Sequence, residues 1–127
     1  YHGSNISNAI KNSNRTDGIY VTDTVSRAVR YANAQSTREV NPDMDQERVG
    51  DTIIFEIECQ PTWHRRPDSH NTLDTCEAFV KDFVFIRAII KFDSRENTLY
   101  GTRHTGYMDR NRVIEFFQSR GIEVETV

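Results

Sequence analysis

Apolar residues follow two different periods along this chain, and the switches between them mark its elements. Ile6, Ala9 and Ile10 stand at i, i+3 and i+4, the spacing of one helix face, with Ser4 or Asn5 available as the cap ahead of them. That helix runs out in the polar stretch 12–17. Gly18-Ile19-Tyr20-Val21 reads as a short strand, and Asp23 is placed to cap a helix over 24–34. Within it Val25, Ala28, Val29 and Ala32 make one apolar stripe. At about 100° per residue, Tyr31 falls at the edge of the stripe, where it can border a cleft instead of filling the core.

The stretch 35–51 is polar and charged around Pro42, offers only Val40, Met44 and Val49 for burial, and reads as a loop. Alternation then takes over from Thr52 to Cys59. Ile53, Phe55, Ile57 and Cys59 share one face, Glu56 and Glu58 the other, which is the pattern of a half-buried strand. A second loop, 60–74, contains Pro61 and Pro67 and carries Trp63-His64-Arg65-Arg66. Strand patterns return at 77–80 and 85–92. A last helix, 110–119, has Asp109 as its cap, Gly121 as its stop and Val113, Ile114 and Phe117 on its inner face, with a short strand around 122–124 after it. Many short strands, with helices early and late, predict an α+β domain on a mostly antiparallel, split β-sheet.

Composition narrows what such a domain does. With 127 residues the chain is expected to be one domain with a single two-layer core. It begins at Tyr1 without an initiator Met or a targeting pattern, so trimming from a longer protein is expected. No apolar run approaches the roughly 20 residues that span a bilayer, so no membrane partner is expected. The net charge of −3, with acids and bases interspersed, argues against the broad basic footprint of non-specific nucleic-acid binding. Cys59 and Cys76 match no metal or redox spacing, and His2, His64, His70 and His104 form no H-x-x-x-H pair, so no metal is expected. The cysteines are either two thiols or, in a secreted protein, a disulfide across neighbouring strands.

Three short islands carry the candidate chemistry. In Tyr1-His2-Gly3-Ser4, glycine lets a ligand approach the backbone while histidine and serine offer directed hydrogen bonds; a small turn after a strand uses the same residues. Tyr20 on a strand and Tyr31 on the following helix can face each other across a gap for one flat ring, although either is also an ordinary half-buried aromatic. Glu77 heads the apolar run Ala78-Phe79-Val80; a solvated strand-end carboxylate is the plain alternative. Glu56 and Glu58, on the polar face of their strand, are weaker candidates.

The islands resemble the ADP-ribosyltransferase superfamily in its His-Tyr-Glu branch. Gly18-Ile19-Tyr20-Val21-Thr22-Asp23, then Val25-Ser26-Arg27-Ala28 and Tyr31, is similar to the segment of poly(ADP-ribose) polymerases and diphtheria-type toxins in which a Gly-[Ile/Phe]-Tyr strand leads into a helix with a second tyrosine. Tyr1-His2-Gly3-Ser4 is similar to the polymerases' Trp-His-Gly-Ser. Glu77-Ala78-Phe79-Val80 resembles their Glu-Tyr-[Ile/Val]-Val block.

The resemblance implies a site for NAD as substrate, with His2, Tyr20 and Glu77 as catalytic triad. His2 is implied to bind the adenosine-side ribose, Gly3 the nicotinamide carboxamide through its backbone, and Ser4 the carboxamide or a ribose. Tyr20 and Tyr31 are implied to sandwich the nicotinamide, and Glu77 to hold the 2′-hydroxyl of its ribose. An anion there stabilises the positive charge that develops as nicotinamide departs. The chain departs from the polymerases in having Ala28 where they carry a serine facing the nicotinamide. Its pyrophosphate-covering segment is cut to 11–17, where Lys11 and Arg15 either reach phosphate or are solvated. The loop before the glutamate contacts the acceptor in many members, which makes Trp63, Arg65 and Arg66 candidates for substrate recognition; alternatively Trp63 packs down and the arginines are solvated.

So small a domain shows no site for a growing polymer, and the expected activity is transfer of a single ADP-ribose. The acceptor is a macromolecule, protein ahead of nucleic acid, and the enzyme a monomer. An NAD glycohydrolase and a non-catalytic binder of NAD or ADP-ribose are the alternatives. NAD supply points to a cytosolic or nuclear site of action, reached from within the cell or as a secreted effector or toxin.

Overall fold

The computed structural model describes residues 1–14, 17–38, 50–66 and 75–127. Its elements run β1 (His2–Ser4), α1 (Ile6–Lys11), β2 (Ile19–Thr22), α2 (Val25–Arg38), β3 (Thr52–Cys59) and β4 (His64–Arg66). They continue with β5 (Thr75–Val80), β6 (Phe83–Lys91), β7 (Tyr100–Thr102), β8 (Gly106–Met108), α3 (Arg110–Gln118) and β9 (Glu123–Thr126). The architecture is α+β and mostly antiparallel, as the patterning predicts. The strands divide into a four-stranded sheet in the order β1-β3-β6-β9, a three-stranded sheet β2-β5-β4 and a hairpin β7-β8.

The first sheet is covered on both faces. Ile53, Phe55, Ala88 and Ile90 point toward Ile6 and Ile10 of α1 and Val113 and Phe117 of α3, forming the main core. Ile54 points the opposite way and packs with Ala28 and Ala32 of α2, with Tyr1 and Ile89 beside them. This is why the alternation expected of β3 fails in its first half: Ile53, Ile54 and Phe55 are all buried, because a helix covers each side. Further along, the register with β6 shifts between Glu56 and Ile57. A third cluster, Val21, Ala78 and Val80, lies under the second sheet.

Helix α2 corrects the sequence reading in three ways. It runs to Arg38, beyond the expected end at 34. Its buried residues are Ala28 and Ala32, whereas Val25 and Val29 are exposed, so the inward face is rotated toward Tyr31 and away from the valines. Asp23 does not serve as its cap as expected: the carboxylate accepts from the Cys76 N–H at 3.2 Å and ties the start of α2 to β5. Asn5, by contrast, caps α1 through Asn8 N–H (2.7 Å), and Asp109 caps α3 through Arg112 N–H (2.9 Å).

Three strands form where the pattern predicts a loop or no element. His64–Arg66, read as loop, is β4 and pairs antiparallel with β5. Residues 93–108 fold around a buried acid, Asp93. Arg95 donates to both oxygens of Asp93 (3.2 and 2.9 Å), Tyr100 Oη accepts from the Asp93 N–H (2.9 Å), and Arg110 Nη2 donates to the Asp93 carbonyl (2.5 Å). That knot fixes the hairpin against the core through Tyr100, which is 2% exposed. Strand β9 then closes the first sheet by pairing parallel to β6, Arg87 opposite Glu123 through Ile90 opposite Thr126. Cys59 and Cys76 are both thiols. No helix among the described residues is long and apolar enough to cross a membrane.

Candidate functional site

The two main sheets meet at β1 and β2, and the seam between them is the site. Tyr1 N donates to Thr22 O and Thr22 N to Tyr1 O, each at 2.8 Å, the exchange typical of a hydrogen-bonded antiparallel pair. On its other edge β1 pairs with β3, His2 opposite Phe55 and Gly3 opposite Ile54. Backbone polar groups alternate along a strand. Since those of Tyr1 face β2, those of His2 face β3 and those of Gly3 face the gap between β1 and β2. A backbone donor and acceptor are thereby presented at the seam.

A cavity of about 410 Å³ occupies that seam, lined by His2, Gly3, Tyr20, Val21, Thr22, Tyr31 and Glu77. Five of the residues singled out in the sequence thus converge on one space. Gly3 has a second role on its reverse side, where α2 passes so closely that an added Cβ would lie 1.9 Å from the Ala28 carbonyl oxygen. Gly18 enters β2 with φ +106°, beside the Phe79 ring. Only glycine adopts that backbone freely, so it aims the start of β2.

Glu77 sits on β5, the central strand of its sheet, opposite Thr22 of β2 on one side and His64 of β4 on the other. It is 6% exposed, so the solvated strand-end alternative does not hold. Its Oε1 accepts a hydrogen bond from the Tyr31 hydroxyl and lies 3.7 Å from Arg27 Nε. Burial, then the bond to Glu77, pushes the Tyr31 phenol above its usual range, so it stays protonated and is the donor. Arg27 also lies over the Tyr31 ring, 5.1 Å from its centre. The carboxylate is therefore held by one hydroxyl and one cation from the same helix face.

Arg27 escapes the sequence reading, where it stands only as part of the helix segment. The available signal is its spacing: four residues before Tyr31, it must share that residue's face. Arg27→Met is expected to lower stability by about 1–2 kcal/mol, through loss of the cation over the ring and of the ion pair with Glu77. Urea titration measures it; an unchanged midpoint would mean that the contact contributes nothing.

His2 is oriented from both ends of its ring environment. Its Nδ1 lies 2.7 Å from the Tyr20 carbonyl oxygen and its ring stacks on Phe55 at 6.4 Å. A carbonyl only accepts, so Nδ1 carries the proton and Nε2 is left as an acceptor. Burial lowers the His2 pKa, against the Tyr20 carbonyl, which raises it. The imidazole is neutral at pH 7. Because the unfolded chain takes up that proton near pH 6.5, stability falls as pH drops from about 6.5 to the depressed folded value and levels off below it. Melting temperature measured across pH 5–7.5 checks this, with His2→Gln expected to remove the step.

The other expected site residues fall around this cavity. Tyr20 is 64% exposed, with its ring edge-on to Phe79 at 5.0 Å. Ser4 is buried and lines a neighbouring cavity of about 380 Å³, together with His2, Asn8, Asn12, Phe55 and Arg120 among others. That position separates Ser4 from the Tyr20, Tyr31 and Glu77 group, while His2 belongs to both spaces. Ala28 is fully buried against Ile54. Trp63 is 42% exposed and does not line the seam cavity. Arg65 and Arg66 lie on β4, and Arg15 lies outside the described residues. No group of three His, Cys, Asp or Glu suited to a metal occurs among the described residues. Compared with known proteins, the chain stands apart: no family model, curated protein or solved structure matches it.

Proposed function

We propose that this protein is an NAD-dependent mono-ADP-ribosyltransferase of the His-Tyr-Glu type. The observation that carries the reading is the single cavity lined by His2, Gly3, Tyr20, Tyr31 and Glu77. Its chemistry suits the nicotinamide riboside half of NAD. Gly3 offers the backbone N–H and C=O that a primary carboxamide pairs with, Tyr20 and Tyr31 offer aromatic surface, and Glu77 offers a buried anion. The neutral His2, with Nε2 free to accept, binds a ribose hydroxyl at the passage into the neighbouring cavity. There Phe55 and Phe85 provide apolar surface for a purine, and Asn8, Asn12 and Ser13 a polar rim.

The reaction breaks the bond between ribose C1′ and the nicotinamide nitrogen. As that bond lengthens, its electron pair moves to nicotinamide and the ribose becomes cationic. Glu77 accepts a hydrogen bond from the ribose 2′-hydroxyl and faces the growing charge, so its attraction is larger in the transition state than in the bound substrate. Tyr31 and Arg27 hold the carboxylate in place before substrate arrives. The acceptor then bonds to C1′ and one ADP-ribose is transferred.

Incubating the protein with NAD and a host lysate tests the reading, with nicotinamide followed by chromatography and labelled products by mass spectrometry. Nicotinamide release with a mass gain of one ADP-ribose on a macromolecule is expected. Free ADP-ribose as sole product would turn the reading to the NAD glycohydrolase, and NAD binding without turnover to the non-catalytic binder.

A further inference from the structure

Glu77 borders two spaces. On one side it closes the seam cavity; on the other it lines a space of about 330 Å³ together with Tyr20, Thr62, His64, Ala78 and Phe79. Tyr20 is the other residue common to both. This second space lies over the β4–β5 pairing, in which His64 stands directly opposite Glu77. Side chains directly opposed on antiparallel strands share a face, with Cβ atoms about 5 Å apart. An imidazole is thereby held beside the carboxylate, on the side away from His2 and Gly3. It is also exposed, and so can pass a proton to solvent.

We propose that His64 is the general base of the transfer step, and that the acceptor is a hydroxyl entering through this second space. The inference rests on the NAD reading above. The C1′–nitrogen bond breaks with its electron pair leaving on nicotinamide. The acceptor oxygen then bonds to C1′, its proton passes to the imidazole of His64, and His64 returns it to water. The sum is NAD⁺ plus an alcohol giving nicotinamide, the ADP-ribosyl O-glycoside and one proton. Glu77 is not available as the base: Tyr31 and Arg27 engage it, and in the reaction it holds the ribose. A carboxylate acceptor has no proton to lose and gains nothing from a base, so an imidazole here favours an acceptor that must shed a proton, as a hydroxyl does. The exposed rings of Tyr20 and Phe79, 64% and 47% accessible, give that hydroxyl's carrier an apolar surface to lie on.

The test uses methanol as the probe acceptor, with NAD as donor. Wild type, His64→Ala, His64→Ala with added imidazole, and Glu77→Gln are compared for nicotinamide and methyl ADP-ribose, with NAD affinity measured separately. His64→Ala is expected to slow methyl ADP-ribose formation about a hundredfold at unchanged NAD affinity, and imidazole to restore part of it. Formation equal to wild type, or a loss that imidazole does not restore, overturns the role of His64 while leaving the NAD reading intact. Wild type that neither binds NAD nor releases nicotinamide overturns that reading, and this inference with it.

Discussion

Glu77→Gln is expected to lower nicotinamide release from NAD by about a hundredfold or more while the protein stays folded. The substitution keeps the side chain's shape and leaves a carbonyl oxygen to accept from Tyr31 at this buried position on β5. It removes the charge and turns one acceptor oxygen into an N–H donor. A neutral amide still binds a ribose hydroxyl but does not offset a cation forming beside it. The loss therefore falls on kcat with KM little changed, which distinguishes a transition-state role from simple binding. Release of nicotinamide at the wild-type rate would sink the assignment of Glu77.

The architecture was legible wherever one face of an element alone is buried. The spacing of Ile6, Ala9 and Ile10 and the caps at Asn5 and Asp109 are local signals, and both helices form as they predict. Legibility fails where tertiary contacts override the pattern. Ile54 breaks the alternation of β3 because α2 covers the second face, and Val25 and Val29 stay outside because α2 turns its small residues toward β1 and Ile54. Strand β4 has no pattern of its own. Three residues, His64-Arg65-Arg66, become a strand by pairing with β5, which no local signal records. The parallel pairing of β9 with β6 is equally non-local.

The site was more legible than the sheets that form it, because its residues carry chemistry in their identity. His2, Gly3, Tyr20, Tyr31 and Glu77 were each ambiguous alone, and the seam brings them together. What sequence withheld is the wiring between them. Nothing in the chain announces that Arg27 reaches Glu77, or that His64 faces the same carboxylate from the opposite strand. Ser4 shows the converse: adjacent to Gly3 in sequence, it points to the other cavity, because successive side chains along a strand alternate.

Gly3→Ala is expected to cost about 3 kcal/mol or more in stability. The added carbon would meet the Ala28 carbonyl oxygen at 1.9 Å and its carbon at 2.7 Å. Both belong to backbone, which cannot rotate aside as a side chain can. Relief requires α2 to move off β1, and that movement separates Ala28 and Ala32 from Ile54 and carries Arg27 and Tyr31 away from Glu77. Stability and site are thus coupled through one close approach. Chemical denaturation measures the first effect. NAD binding by whatever fraction remains folded measures the second, and is expected to be weaker than that of wild type. A Gly3→Ala protein with wild-type stability would show that the helix has room to retreat, and that the closeness of α2 to β1 is not what fixes Tyr31 against Glu77.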